Sequence, residues 1–208
     1  MLKITKIEKH KRNKERYHIY MNDQYYFTVD EDILVKFRLL KGSEFDEDFI
    51  ESVIKEEEKS RAKNYALKLL NYKRRTEKEI YEKMKEKGYD EENIEFAIEF
   101  LKSYNYIDDL EYAKCYVKDK YNLKKLGKQR IKTELYNKGI RDNIINEVIK
   151  DVIDDDNEYD KALELARKKL STTYKNDDKV ALYRKLGGFL QRKGYSFDIV
   201  KKVLNELI

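Results

Sequence analysis

The sequence predicts a mainly α-helical chain: three tandem three-helix repeats forming an elongated body, preceded by a short N-terminal β-hairpin or three-strand segment. Three observations carry this prediction. Three lysine-glycine pairs, Lys87-Gly88, Lys138-Gly139 and Lys193-Gly194, anchor a repeat, and apolar residues recur at fixed distances from each of these glycines. The 208 residues also include no proline, where average usage would supply about ten, so helices meet few hard stops.

Residues 1–30 have a different pattern from the rest. Tyr17-His18-Ile19-Tyr20-Met21 and Tyr25-Tyr26-Phe27-Thr28-Val29 are β-prone runs joined through Asn22-Asp23-Gln24, a hairpin signal. Lys3-Ile4-Thr5-Lys6-Ile7 is a candidate third strand, with a basic loop, His10 to Lys14, before the second. Asp30 is placed to cap a helix running through Leu39, which Lys41-Gly42 ends. Ser43 or Asp46 then opens a further helix that can run on into the first repeat.

The repeats are read outward from their glycines. At offsets 6, 9, 10 and 13 after the glycine stand Ile94, Ala97, Ile98 and Leu101, then Ile145, Val148, Ile149 and Val152, then Val200, Val203, Leu204 and Leu207. This spacing is one apolar stripe of an amphipathic helix. Offsets 8 and 4 before the glycine give Ile80 and Met84, Ile131 and Leu135, Leu186 and Leu190, which mark a preceding helix that ends at the glycine. Glycine there supplies the left-handed residue that closes a helix, and the lysine sits at the negative end of the dipole. Farther back, Ala62, Tyr65 and Ala66 match Ala113, Tyr116 and Val117. The equivalent Ala162, Leu165 and Ala166 lies six residues early, which places an insertion within Leu170–Asp178 of the third copy. The expected division is 1–55 for the β segment with its connecting helices, then repeats at 56–105, 106–155 and 156–208. Such helices cannot bury their stripes singly, so three must fold together in each unit.

Composition narrows the function. Charged residues make up 42% and hydrophobic ones 40%, enough for thin cores beneath wide solvated faces. The absence of a long apolar run or a signal-like N-terminus predicts a cytoplasmic protein without membrane attachment, and a lone cysteine excludes an internal disulfide framework. Charge is segregated: residues 118–141 carry a net +7 and residues 151–160 a net −6.

Few residues suggest catalysis. Gly127-Lys128 lacks the rest of a phosphate-binding loop, and Gly187-Gly188 falls within a helical pattern, calling for close packing or a kink. Cys115 has no helix-spaced partner and reads as a core or half-buried thiol, and two histidines with one cysteine make no metal site. Asp108-Asp109 is an acidic pair whose better reading is the N-cap of a helix starting near Leu110; a metal-dependent hydrolase is the remote alternative. No cofactor is expected.

Basic clusters are more informative. Lys73, Arg74 and Arg75, then Lys124, Lys125, Lys128 and Arg130, then Arg184, Lys185, Arg192 and Lys193 fall at or inside the second helix of successive repeats. A row of cations recurring once per repeat suits a polyanion or an acidic protein groove. Tyr72, Tyr121 and Tyr136 accompany them and could stack on bases, although helix-spaced tyrosine is more often packing.

The segment Tyr106-Ile107-Asp108-Asp109-Leu110-Glu111-Tyr112-Ala113, followed by Gly127-Lys128-Gln129-Arg130-Ile131-Lys132-Thr133-Glu134-Leu135 and Lys138-Gly139-Ile140, resembles the central repeat of the RecX family. Arg74-Arg75-Thr76-Glu77-Lys78-Glu79-Ile80 with Lys87-Gly88-Tyr89, and Leu190 to Asp198, extend the resemblance over about residues 60–208. Asn105 replaces a glycine often found before the Tyr-Ile-Asp-Asp motif, and the acidic 151–160 linker is outside the pattern. The resemblance implies a non-enzymatic modulator that binds RecA, lies in the groove of the RecA–single-stranded DNA filament and inhibits recombinase and coprotease activity in DNA repair and the SOS response; a monomer is expected. The alternative is a nonspecific DNA-binding helical-repeat protein acting without RecA.

Overall fold

A computed structural model describes residues 1–175 and 177–208; Asn176 lies outside the described residues, as do the side chains of Asp155 and Asp156. The chain divides into two compact units, Met1–Tyr72 with Lys83–Tyr104, and Lys73–Glu82 with Asn105–Ile208.

The first unit begins with a four-stranded antiparallel sheet of order β3-β2-β1-β4, built from β1 (Leu2–Lys9), β2 (Arg16–Met21), β3 (Gln24–Asp30) and β4 (Glu44–Phe45). Asn22 and Asp23 both take positive φ, 49° and 66°, the paired left-handed conformation that closes a two-residue hairpin in register with strand twist. Alternate strand residues Ile4, Ile19, Met21, Phe27 and Val29 enter a core shared with Ile33, Leu39, Ile50 and Val53. Helix α1 (Glu31–Lys36) stops three residues short of the expected end. Arg38 turns to φ 49°, which drops Leu39 into the core. Asp30 occupies the N-cap position without capping: its carboxylate pairs with Arg16 at 2.9 Å, and its own N–H donates to Glu57 at 2.8 Å. Glu57 is buried, and this desolvation raises its pKa against the pull of Asp30 N–H and Arg16. Asp46 does cap, accepting from Phe49 N–H, and opens α2 (Glu47–Leu70), which continues unbroken across residue 55. Against α2 packs α4 (Glu91–Ser103), capped by Asp90 and burying Ile94, Ala97, Ile98 and Leu101.

The second unit contains the other two repeats. Helices α5 (Asp109–Lys118), α6 (Lys128–Asn137) and α7 (Asp142–Val152) close over Ala113, Val117, Ile131, Leu135, Ile145, Val148 and Ile149. A π-helical turn, Asp119–Leu123, extends α5 and buries Tyr121. Helices α8 (Asp155–Thr172), α9 (Lys179–Lys193) and α10 (Phe197–Leu207) close over Ala162, Ala166, Leu186, Leu190, Val200, Val203 and Leu204. The stripe positions counted from each glycine are therefore the core positions. Gly187 lies under α10, where an added Cβ would stand 3.3 Å from Leu204, so close packing accounts for it. Part of the expected insertion, at Asn176, lies outside the described residues; on either side of it α8 ends at Thr172 and α9 begins after Asp178. The acidic stretch is no linker: Asp151 and Val152 finish α7 and residues 155–160 start α8. The remaining helix, α3 (Glu77–Lys87), contributes its first turns to this second unit.

Candidate functional site

The lysine-glycine pair of each repeat ends a helix as expected, with φ of 92° at Gly88, 83° at Gly139 and 94° at Gly194, whereas Lys41-Gly42 lies beyond the end of α1. Two of the caps do more. A helix that ends leaves carbonyls without intrahelical donors, and in the second unit those carbonyls receive the N-terminal turn of the second helix of the preceding repeat. At Gly139 the incoming turn is that of α3. Thr76 Oγ1 donates to the Lys138 carbonyl at 2.7 Å and Lys78 Nζ to the Asn137 carbonyl at 3.3 Å. At Gly194 it is that of α6. Gly127 N–H donates to the Lys193 carbonyl at 2.9 Å, Gln129 N–H to the Gly194 carbonyl at 3.1 Å and Arg130 to the Arg192 carbonyl at 2.9 Å. Both junctions thus use the carbonyls one and two residues before the glycine.

The cap lysine reaches back across each junction. Lys138 Nζ meets Glu79 at 2.6 Å, and Lys193 Nζ donates to the Lys124 carbonyl at 3.3 Å. Burial alone would lower Lys138 and raise Glu79. Their mutual hydrogen bond and charge outweigh it, so Lys138 is raised and Glu79 lowered. Among the described residues no carboxylate pairs with Lys193 across the junction; burial, Arg130 and Lys124 lower it. Contact is close enough to require glycine for a second reason. A Cβ on Gly139 would overlap the Lys78 side chain, and one on Gly194 would stand 2.5 Å from the Arg130 backbone nitrogen. Gly127 has an ordinary φ of −75° and is glycine because Gly194 lies directly against it.

These contacts divide the candidate cations. Lys73, Arg74 and Arg75 lie in the loop ahead of α3, and Lys124 and Lys125 follow the π-helical turn ahead of α6. Lys73 and Lys124 each precede their glycine by 15 residues, so they are equivalent; Arg184 and Lys185, inside α9, keep a different register. Lys125 pairs with Glu164, Lys128 with buried Glu158 at 3.7 Å, Arg130 with Glu134 at 2.9 Å and Lys185 with Asp177 at 2.6 Å. Glu158 also accepts from Lys128 N–H at 2.8 Å, so the acidic stretch caps α6 and neutralises part of the basic one. Arg74 donates to Cys115, a half-buried thiol, at 3.1 Å. Among the described residues, Lys73, Lys124, Arg184 and Arg192 are exposed and their side chains form no salt bridge.

The tyrosines separate likewise. Tyr72 and Tyr136 are 77% and 64% exposed, whereas Tyr121 is buried beneath Lys161 Nζ, 3.3 Å from the ring centre, and cannot stack on a base. Asp108 caps α5 through Leu110 and Glu111 N–H, and Asp109 accepts from Glu77 N–H at 3.1 Å, so both carboxylates of the acidic pair hold helix starts. The junction residues Thr76, Lys78, Glu79, Gln129 and Glu158 were not foreseen; the repeated lysine-glycine pair was their signal. No described helix is long and apolar enough to cross a membrane.

Comparison with known proteins matches four family profiles along the chain. The Regulatory protein RecX N-terminal domain covers residues 2–46, and the first, second and third three-helix domains of RecX cover 62–101, 108–149 and 155–204. Relatives described as Regulatory protein RecX include one from Clostridioides difficile (strain 630), 40% identical over 99% of this chain and 95% of that protein. Another, from Clostridium tetani (strain Massachusetts / E88), is 39% identical over 99% and 94%. A crystal structure of regulatory protein RecX superposes with a TM-score of 0.75 at 33% identity, covering 99% of this chain and all of that one. RecX from Lactobacillus salivarius superposes over 72% of this chain and 96% of its own, with a TM-score of 0.64.

Proposed function

The chain belongs to the RecX family of regulatory proteins, and from that membership we propose that it regulates RecA without catalysing a reaction of its own. It acts in the cytoplasm as a monomer, binds RecA and the RecA–single-stranded DNA filament, and inhibits recombinase and coprotease activity in DNA repair and the SOS response. The observation that carries the contact surface is the exposure of Lys73 and Lys124 at the same place in successive repeats, with neither side chain in a salt bridge. Two cations set one repeat apart suit a partner with its own repeating acidic surface. Arg184 and Arg192 extend the cationic surface in the third repeat. Arg74, Arg75, Lys125, Lys128, Arg130, Lys185 and Lys193 contribute to it as secondary contacts.

The test is titration of the protein and of a Lys73→Glu/Lys124→Glu variant into preformed RecA–single-stranded DNA filaments, following filament length and ATP turnover together. The variant should keep its helical spectrum and inhibit more weakly. Equal inhibition by a folded variant rejects these two lysines as contacts, and no effect of the native protein on either readout rejects RecA as the target. Exposed Tyr72 beside Lys73 favours a second reading, direct DNA binding without RecA. A salt-sensitive shift of bare single-stranded DNA, unaltered by RecA, would establish it.

A further inference from the structure

The three lysine-glycine caps share one backbone conformation, yet only two are covered. Gly194 is buried and Gly139 half-buried, each with a helix N-terminus seated on it, whereas Gly88 is exposed and a Cβ added there would meet nothing within 4 Å. Lys87 is exposed too, in contrast to Lys138 and Lys193. The carbonyls that receive donors at the covered caps are those of Asn137 and Lys138, and of Arg192 and Lys193; their counterparts here are those of Glu86 and Lys87. Among the described residues no donor outside α3 reaches either of them. Beside this cap is a cleft of about 190 Å³ lined by Glu58, Arg61, Tyr89, Asp90 and Asn93. Asn93 is 7% exposed, and its Oδ1 is buried with no hydrogen-bond partner while its amide nitrogen donates to Asp90. A buried acceptor without a donor is costly.

We propose that the Gly88 cap is a docking site for the N-terminal turn of a helix on a partner protein. The two seated turns state the chemistry of the occupant. Each begins with a small or hydroxyl residue, Thr76 or Gly127, that donates to the carbonyl one before the glycine. Each then offers a cation two or three residues later, Lys78 or Arg130, to the carbonyl two before the glycine. A partner helix starting with Ser, Thr or Gly and carrying Lys or Arg in its first turn would supply donors to the Lys87 and Glu86 carbonyls. Its positive N-terminal dipole would face the negative end of α3, and its first-turn cation could pair with Glu58 or Asp90 in a cleft where Arg61 and Lys87 balance the two acids.

A second copy of this chain is the poorer occupant. Its one second helix not seated on a following repeat is α9, which starts at Asp178, 16 residues before its glycine, where Thr76 and Gly127 stand 12 before theirs. Asp178 also turns its carboxylate to its own Ala181 N–H, with Asp177 beside it, so this helix start would bring acids against carbonyls.

The probe is a helix-stapled synthetic peptide of residues 124–137, the turn that covers Gly194, titrated to millimolar concentration into the isotope-labelled full chain. Amide resonances of Lys87, Gly88 and Tyr89 should shift saturably. In Gly88→Asn, which tolerates the left-handed conformation and meets no neighbour in the unbound chain, binding should weaken about tenfold or more. A peptide carrying Gly127→Val should also fail to bind. The proposal is overturned if the cap resonances do not move, if they move equally in Gly88→Asn, or if the shifts fall at Gly139 or Gly194. Sedimentation of the chain alone completes the test: concentration-dependent association abolished by Gly88→Asn would assign the cap to a second copy and overturn the partner assignment.

Discussion

Substituting alanine at each of the three cap glycines separates two physical roles of glycine that coincide in two of the repeats. All three residues have φ between 83° and 94°, so alanine meets the same left-handed backbone cost at each, on the order of 1–2 kcal/mol. At Gly88 nothing further is disturbed, because the new methyl would enter open space. At Gly139 the methyl would overlap Lys78 Cβ, which side-chain rotation cannot move, so the first turn of α3 must shift and strain the side-chain hydrogen bonds of Lys78 and Thr76. The added cost there is about 1–2 kcal/mol. At Gly194 the obstacle is the backbone of Arg130, which cannot swing away. The α6 N-terminus must retreat, straining or breaking two main-chain hydrogen bonds, for about 2–3 kcal/mol beyond the common term. Urea unfolding followed by far-ultraviolet circular dichroism should therefore rank the losses Gly194→Ala, then Gly139→Ala, then Gly88→Ala. A Gly88→Ala loss equal to that of Gly194→Ala would refute the junction argument and leave only backbone strain.

Two further measurements address the polar groups at the junctions. Glu158→Gln keeps an acceptor for Lys128 N–H while removing the charge facing Lys128 Nζ, whereas Glu158→Ala removes both. Alanine should therefore cost about 1–2 kcal/mol more than glutamine in the same unfolding assay, and equal losses would show that the cap of α6 contributes nothing. Because Glu79 has a lowered pKa in the folded chain, its contribution is complete above the ordinary carboxylate range and is lost as pH falls through the depressed folded value. Lys138, being raised, keeps its contribution until pH climbs through its own elevated value. Between about pH 5 and pH 3, native protein should lose more stability than Glu79→Gln, by less than about 1 kcal/mol since both side chains are partly solvated. Parallel curves would remove the pair from the junction.

Periodicity reveals what side chains bury, and every stripe position counted from the glycines is buried or half-buried. The hairpin was legible for a comparable reason: two β-prone runs and an Asn-Asp turn declare themselves locally. Strand β4 was not, since Glu44–Phe45 is too short to display a period. The junctions escaped because most of their acceptors, and two of their donors, are main-chain groups that any residue could supply. Only glycine marks such a place, and glycine also marks a helix end, so the capping role hid the contact role. The cations were legible as residues and misleading as a row. Lys125 and Lys128 stand 39 and 30 residues from the carboxylates that face them, and no local pattern foretells such a pairing. The opposite net charges of residues 118–141 and 151–160 were the available hint, and it pointed inward to α6 and α8 rather than outward to a partner.

A junction in which one repeat inserts into the next is heterologous, so a finite series always ends with one socket and one plug unused. If both kept their shape, copies of the chain could join end to end without limit. Here the two ends have diverged. The socket at Gly88 retains the left-handed glycine, the lysine and unobstructed space. The plug at α9 starts about a turn earlier relative to its glycine and begins with an aspartate that caps its own chain. A plug that does not fit would by itself disfavour open-ended self-association, and under the proposed docking the socket would accept a different helix. The left-handed φ of 92° accounts for glycine at position 88 whether or not a helix docks there, so what an outside occupant would use is the unobstructed space and the uncovered carbonyls of the cap, not the glycine alone.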